Sequence, residues 1–169
     1  KGDANLVARN IKKGVSIFGV SGSVKPGWVL FAANGLYYNY NWGSFVAGYA
    51  DGTPSSQRIS NNAISLSTGS SCGDVAMVTN DPIDLTGINY VCAVIGPDSY
   101  AARSTYWIAD TNKVAPYSTY VARVSGASDA SGLIQGLVLN VSSLSGLYYI
   151  RLHLAATSRF IYCYLVSLG

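Results

Sequence analysis

The sequence contains no glutamate, and all eight of its acidic residues are aspartates. Only 11% of the residues are charged, against about 25% in an average soluble domain. Val, Ile, Thr, Tyr and Ser are abundant whereas strong helix formers are scarce, so long helices are not expected. The composition therefore predicts a β-rich chain of 169 residues whose solubility depends on hydroxyl and amide groups, which is typical of extracellular and virion proteins.

Long basic and long apolar runs are also missing. After residue 25 the positive charges are Lys113 and five separated arginines, so no basic stripe is available for nucleic acid or anionic lipid. The longest apolar run, FIYCYLV at 160–166, is far shorter than the roughly 20 residues of a membrane helix. We expect neither a nucleic-acid partner nor membrane insertion.

Residues for catalysis and metal binding are few. With one histidine, no glutamate and three separated cysteines that are predicted to be buried thiols, we expect no metal site and no cofactor. GSSCG at 69–73 matches G-x-S-x-G, but a nucleophile elbow needs a following helix, and DVAMVT reads as a strand. His153 is expected on the outer face of a strand. We predict that the chain is not an enzyme and has no catalytic residue.

Two segments are predicted. Residues 1–26 should form a short helix over 4–12, capped by Asp3, and then a strand, VSIFGVSGSV, interrupted by Gly19 and Gly22. A helix of this length is not stable alone in water, so it must dock on another surface. The stretch SVKPG at 23–27 reads as a hinge, and residues 27–169 form the second segment.

From residue 28 the apolar residues recur with a period of two. WVLFA, Asn34-Gly35 and LYYNY give a hairpin signal, because Asn-Gly suits a tight turn with positive φ angles. Further strands are predicted at 44–50, 56–60, 63–68, 74–79, 88–95, 103–109, 117–124, 134–141, 147–154 and 159–167. In 147–154, Ile150, Leu152 and Leu154 should face the core, opposite Arg151 and His153. Short strands at this spacing predict an all-β fold, an antiparallel β-sandwich of jelly-roll type.

The stretch DANLVARNIKKGVSIFGVSGSV at 3–24 resembles a short module of tail fibre and minor structural proteins of tailed bacteriophages and prophages, approximately D-x-x-L-x-x-x-N-I-x-x-G-V-x-I-x-G-V-x-G. The resemblance implies an extracellular virion tail protein that contacts other tail proteins and assembles as a homo-oligomer, expected to be a trimer. The apolar residues expected at the subunit contact are Leu6, Ile11, Val15 and Ile17. The alternative is that this segment folds back on its own β-domain.

Aromatic residues at spacing two suggest a ligand surface in YYNYNWGS at 37–44, where Tyr38, Tyr40 and Trp42 share one face of a strand. Such rings can stack on sugars, or they can simply pack in the core. A second patch consists of Tyr106, Trp107 and Asp110. These observations predict a tail fibre or baseplate-associated domain that binds a host surface polysaccharide. The alternatives are a structural fibre domain without a ligand and a secreted bacterial carbohydrate-binding module.

Overall fold

The computed structural model describes residues 16–21, 29–32, 45–59, 63–97, 104–126 and 134–169. These residues contain fourteen strands and no α-helix. The strands are β1 (Ser16–Ile17), β2 (Val20–Ser21), β3 (Val29–Ala32), β4 (Phe45–Ala50), β5 (Ser56–Ile59), β6 (Ile64–Ser67), β7 (Val75–Thr79), β8 (Ile83–Asp84), β9 (Tyr90–Pro97), β10 (Thr105–Asp110), β11 (Ala122–Ser125), β12 (Gln135–Asn140), β13 (Leu147–Leu154) and β14 (Phe160–Leu168).

Two six-stranded antiparallel sheets form the body of the fold. The first sheet has the order β11-β10-β13-β7-β4, with β8 also paired to β13, and the second has the order β12-β9-β14-β6-β5, with β3 also paired to β14. From β6 onward the chain passes repeatedly from one sheet to the other, as in jelly-roll sandwiches. The predicted antiparallel β-sandwich is therefore confirmed. In the described ranges, no helix is long and apolar enough to cross a bilayer.

The core lies between the two sheets because each strand turns alternate side chains inward. The larger inward residues include Phe45, Met77, Trp107 and Leu152 from the first sheet, and Leu66, Ile95, Leu139 and Ile161 from the second. Burial of each such side chain stabilises the fold by about 1.5 to 3 kcal/mol. Ile150, Leu152 and Leu154 face this core, as the sequence pattern predicts.

The outer face of the first sheet differs from the prediction. Arg151 and His153 were expected to be exposed on β13, yet both side chains are completely buried. The reason is the long β10–β11 connection, residues 111–121, which makes hydrogen bonds to this face. The strand predicted at 117–124 accordingly begins only at Ala122, because residues 117–121 belong to this covering loop.

Residues 16–21 form a hairpin of their own. Ser16 pairs with Ser21 and Ile17 with Val20, while Phe18 and Gly19 at the turn have φ angles of 47° and 81°. The single interrupted strand predicted here is therefore wrong, since Gly19 closes a tight turn. The helix predicted over 4–12 and the boundary at 26/27 lie outside the described residues, so the two-segment division stays a prediction.

Candidate functional site

Most of the residues predicted for assembly and for the first ligand surface lie outside the described part of the chain. These are Leu6, Ile11 and Val15 of the N-terminal segment, and Tyr38, Tyr40 and Trp42 of the aromatic stretch. The remaining assembly residue, Ile17, is 40% exposed in the N-terminal hairpin. An exposed side chain at this position is compatible with a subunit contact but does not by itself show one.

The second predicted patch is divided between the two faces of β10. Trp107 points inward, is 0% exposed and packs against Phe45 with a ring separation of 6.1 Å. Because strand neighbours point to opposite faces, Tyr106 and Asp110 lie on the outer side. Trp107 therefore packs in the core and offers no surface for sugar stacking, which corrects its assignment as a ligand residue.

Asp110 is not an exposed ligand group either. It is 4% exposed, and its Oδ2 lies 2.5 Å from Nη2 of Arg151. Nη2 also donates to the carbonyl of Thr119, and Nη1 donates to the carbonyl of Ala115. Burial lowers the pKa of Arg151, and the nearby Asp110 and Asp74 carboxylates counteract this. Arg151 thus ties the β10–β11 loop to the sheet beneath it.

His153 makes a second link to the same loop. Its Nδ1 lies 3.0 Å from Oδ1 of Asp74, and Oδ2 of Asp74 accepts a hydrogen bond from the backbone N–H of Tyr117 at 3.0 Å. Burial lowers the pKa of His153, although Asp74 acts in the opposite direction. The ring is therefore neutral near pH 7, and its Nδ1–H donates to the carboxylate.

Above these buried groups lies a cluster that we call the tyrosine–arginine cluster: Tyr106, Tyr117, Tyr120 and Arg123. The rings of Tyr106 and Tyr117 are stacked, with centroids 4.8 Å apart and an interplanar angle of 18°. The guanidinium carbon of Arg123 lies 5.0 Å from the centroid of Tyr106 and 4.3 Å from that of Tyr120. Tyr106 was the one member that the sequence predicted as a ligand residue.

The second sheet carries another aromatic surface on its outer face, which we call the β14 stripe: Phe160, Tyr162 and Tyr164. Phe160 and Tyr162 are 44% and 40% exposed, and Tyr164 is half-buried. The ring centroids are 5.6 Å apart between Phe160 and Tyr162, and 6.3 Å apart between Tyr162 and Tyr164. These residues were not among the predicted ligand residues, although they have the same spacing of two as Tyr38, Tyr40 and Trp42.

The strands on either side determine how the β14 stripe lies. On β9, Gly96 leaves room for the Tyr164 ring, since a Cβ at this position would be 2.8 Å from Cε2 of that ring. On β6, Ser65 and Ser67 pair with Tyr162 and Phe160, and the Ser65 hydroxyl is 3.1 Å from that of Ser56. Flat apolar rings therefore lie beside a strip of serine hydroxyl groups, and Arg58 of β5 pairs with Ser65 in the same cross-strand row.

Within the described residues, neither a nucleophile elbow at GSSCG nor a cluster of metal-ligating side chains is formed. Ser70 and Ser71 of GSSCG lie in a turn between β6 and β7, so the strand-turn-helix geometry of a nucleophile elbow is absent from this turn. No group of three or more metal-ligating side chains converges within the described ranges. Cys72 and Cys163 are completely buried, and Cys92 is half-buried.

Comparison with solved structures shows what this fold is similar to. CBM29-2, a family 29 carbohydrate-binding module, matches with a TM-score of 0.52 and 14% identity, over 86% of this chain and 92% of that chain. The K2 cleaved adhesin domain of Lys-gingipain matches with a TM-score of 0.50 and 10% identity, over 85% and 99% of the two chains. No protein-family model matches the sequence, and no curated protein matches it. At these identities the likeness shows the β-sandwich fold alone.

Proposed function

We propose that this chain is a non-enzymatic recognition domain that binds a cell-surface polysaccharide along the β14 stripe. The observation that carries the proposal is the row of three aromatic rings on the outer face of the second sheet, two of them at least 40% exposed. Two structural neighbours, a carbohydrate-binding module and an adhesin domain, support the same class of function.

The chemistry of the stripe suits an uncharged sugar chain. Aromatic faces favour the C–H faces of sugar rings, and the half-buried neighbours Ser56 and Ser67 offer hydroxyls that can exchange hydrogen bonds with sugar hydroxyls. Successive rings follow the direction of β14, so a linear chain can contact more than one ring. Each contact is weak, so a single site should have a Kd near the millimolar end of the range, which corresponds to a binding free energy of about −4 kcal/mol.

We further propose that the domain belongs to an extracellular tail fibre or baseplate-associated protein of a phage virion and recognises the host surface. The resemblance at residues 3–24 to tail fibre modules supports this proposal. Assembly as a trimer through Leu6, Ile11, Val15 and Ile17 would place three binding sites on one fibre and raise the apparent affinity through effective concentration. Ile17 and Phe18, which are 40% and 95% exposed, fit such a contact.

A secreted bacterial carbohydrate-binding module is the second candidate, favoured by the similarity in fold to CBM29-2. Both candidates need the same stripe, and they differ in the rest of the parent protein. A parent chain with a virion-attachment region favours the fibre. A parent chain with a glycoside hydrolase domain favours the secreted module.

The stripe is tested by affinity electrophoresis of the whole chain through gels that contain neutral polysaccharides from bacterial surfaces. Wild-type protein should be retarded by at least one of them, and Tyr162→Ala should lose the retardation. Tyr90→Ala is the matched control, because Tyr90 is 45% exposed on the same sheet. It lies six positions along β9 from Gly96, the partner of Tyr162, or roughly 20 Å away.

One further measurement keeps this test decisive. Thermal unfolding must show that Tyr162→Ala folds with a Tm close to that of Tyr90→Ala, so that lost retardation reports lost binding. The proposal is rejected if folded Tyr162→Ala is retarded as strongly as wild type, or if both tyrosine variants lose retardation equally.

A further inference from the structure

We propose a second ligand site on the opposite sheet, at the tyrosine–arginine cluster, which binds the carboxylate of an acidic sugar such as a uronic acid. This site lies on the outer face of the first sheet and does not depend on the β14 stripe. Its central group is the guanidinium of Arg123, and its walls are the rings of Tyr106 and Tyr120.

The guanidinium is held in a defined place by ring contacts. Arg123 pairs with Ile108 across β10 and β11, and Ser125 pairs with Tyr106, so Arg123 and Tyr106 are diagonal neighbours on the same face. With its carbon 5.0 Å and 4.3 Å from two ring centroids, the planar group loses little further freedom when it binds.

The donors of this guanidinium are available to a ligand. Within the described part of the chain, its hydrogen bonding is limited to one long contact from Nη1 to the Tyr117 carbonyl, 3.4 Å. The buried carboxylates below it are already engaged, Asp110 with Arg151 and Asp74 with His153. An arginine fork with free N–H groups matches a carboxylate in a bidentate geometry.

The loop that completes the site is anchored by buried charged groups. Arg151 donates to two carbonyls of the β10–β11 loop, Ala115 and Thr119, and Asp74 accepts from the Tyr117 backbone N–H. These bonds fix the backbone next to Tyr117 and Tyr120, so the rings are positioned before a ligand arrives. Preorganisation of this kind lowers the ordering cost of binding.

An acidic sugar fits this surface better than an acidic peptide. Tyr120 is 45% exposed, and Tyr106 and Tyr117 are half-buried, so a sugar ring bound through its carboxylate can also place C–H groups against aromatic surface. The tyrosine hydroxyls add both donors and acceptors for sugar hydroxyls. A peptide carboxylate would use the guanidinium but would leave most of this surface unused.

The test is titration of the whole chain with trigalacturonate and with its methyl ester, followed by NMR or calorimetry. Esterification removes the charge of each carboxylate and caps one of its oxygens with a methyl group, while the sugar backbone stays the same. Wild type should bind the acid at least tenfold more tightly than the ester. Arg123→Ala should remove that preference, and Arg123→Lys should retain only a small part of it, because lysine keeps the charge but lacks the planar fork.

The outcomes separate this site from the β14 stripe. Tyr162→Ala should bind trigalacturonate as wild type does, whatever its effect on neutral polysaccharides. The proposal is overturned if wild type binds acid and ester equally, if Arg123→Ala keeps the preference, or if Arg123→Lys equals wild type. It is also overturned if triglutamate binds as tightly as trigalacturonate, since the site would then recognise a peptide carboxylate.

Discussion

His153 and Tyr117 are joined through one carboxylate: Nδ1 of His153 lies 3.0 Å from Oδ1 of Asp74, and the Tyr117 N–H donates to Oδ2 at 3.0 Å. A strand residue of the first sheet is thereby connected to the loop that carries two members of the tyrosine–arginine cluster. Because the histidine is buried, its protonation state affects both the stability of the sheet and the position of this loop.

The first prediction concerns pH. Burial lowers the pKa of His153 below 6.5 in the folded chain, so near and below pH 6.5 the unfolded chain binds a proton that the folded chain does not. The free energy of unfolding should therefore fall as the pH is lowered from about 7 to about 5. His153→Asn keeps a side-chain N–H that can donate to Asp74 but cannot titrate, and it should remove most of this dependence in urea denaturation.

Arg151 and Asp51 do not account for the same pH range. Arg151 stays charged throughout. Slight burial acts to raise the pKa of Asp51, but the backbone N–H groups of Asp74 and Gly73 outweigh it and lower that pKa from 3.8. The stability that Asp51 contributes is thus lost only below about pH 4. Parallel pH curves for wild type and His153→Asn would show that the histidine is not the responsible group.

The second prediction concerns the ion pair beneath the loop. Arg151→Met leaves Asp110 buried without its cation and should reduce the free energy of unfolding by about 3 to 5 kcal/mol. Adding Asp110→Asn removes the unpaired charge and should recover part of that loss. Both variants lack the donors to Ala115 and Thr119, so proteolysis within residues 111–121 should be faster in both. Asp110→Asn alone completes the comparison. A double variant whose loss of unfolding free energy equals the sum of the losses of Arg151→Met and Asp110→Asn would contradict the coupling between the two residues.

Alternation along the chain predicted the strands well because local pattern decides which side chains face a neighbouring sheet. The strand predicted at 147–154 has the bounds Leu147–Leu154 in the structure. The burial of Arg151 and His153 could not be predicted, because it depends on a loop that is distant in sequence. The spacing of aromatic residues did not distinguish Trp107, which packs in the core, from Tyr162, which is exposed. Aromatic side chains at alternate strand positions can face either the core or the solvent.

The third prediction compares two glycines. A Cβ at Gly52 would lie 2.1 Å from the carbonyl oxygen of Ser71, whereas a Cβ at Gly136 would meet nothing within 4 Å. Gly52→Ala should therefore force the β4–β5 loop away from the β6–β7 loop and destabilise the fold by about 1 to 3 kcal/mol. Gly136→Ala should be neutral or slightly stabilising, because it restricts the unfolded chain without a clash. Thermal unfolding measures both, and equal Tm values would contradict the close approach.

The fourth prediction concerns assembly through the N-terminal hairpin. Phe18 is 95% exposed with a φ of 47°, a conformation that costs energy for a bulky residue. If this ring is buried against another subunit, as we propose, Phe18→Asn should weaken the oligomer, because asparagine tolerates the φ angle but has no apolar ring. Phe18→Tyr keeps an aromatic ring and serves as the control.

Native mass spectrometry at micromolar concentration should show a trimer for wild type and control and lighter species for Phe18→Asn, with the Tm of the β-sandwich unchanged. A monomeric wild type would refute the proposed assembly. A trimer that survives deletion of residues 1–24 would show that the subunit contact lies on the β-domain.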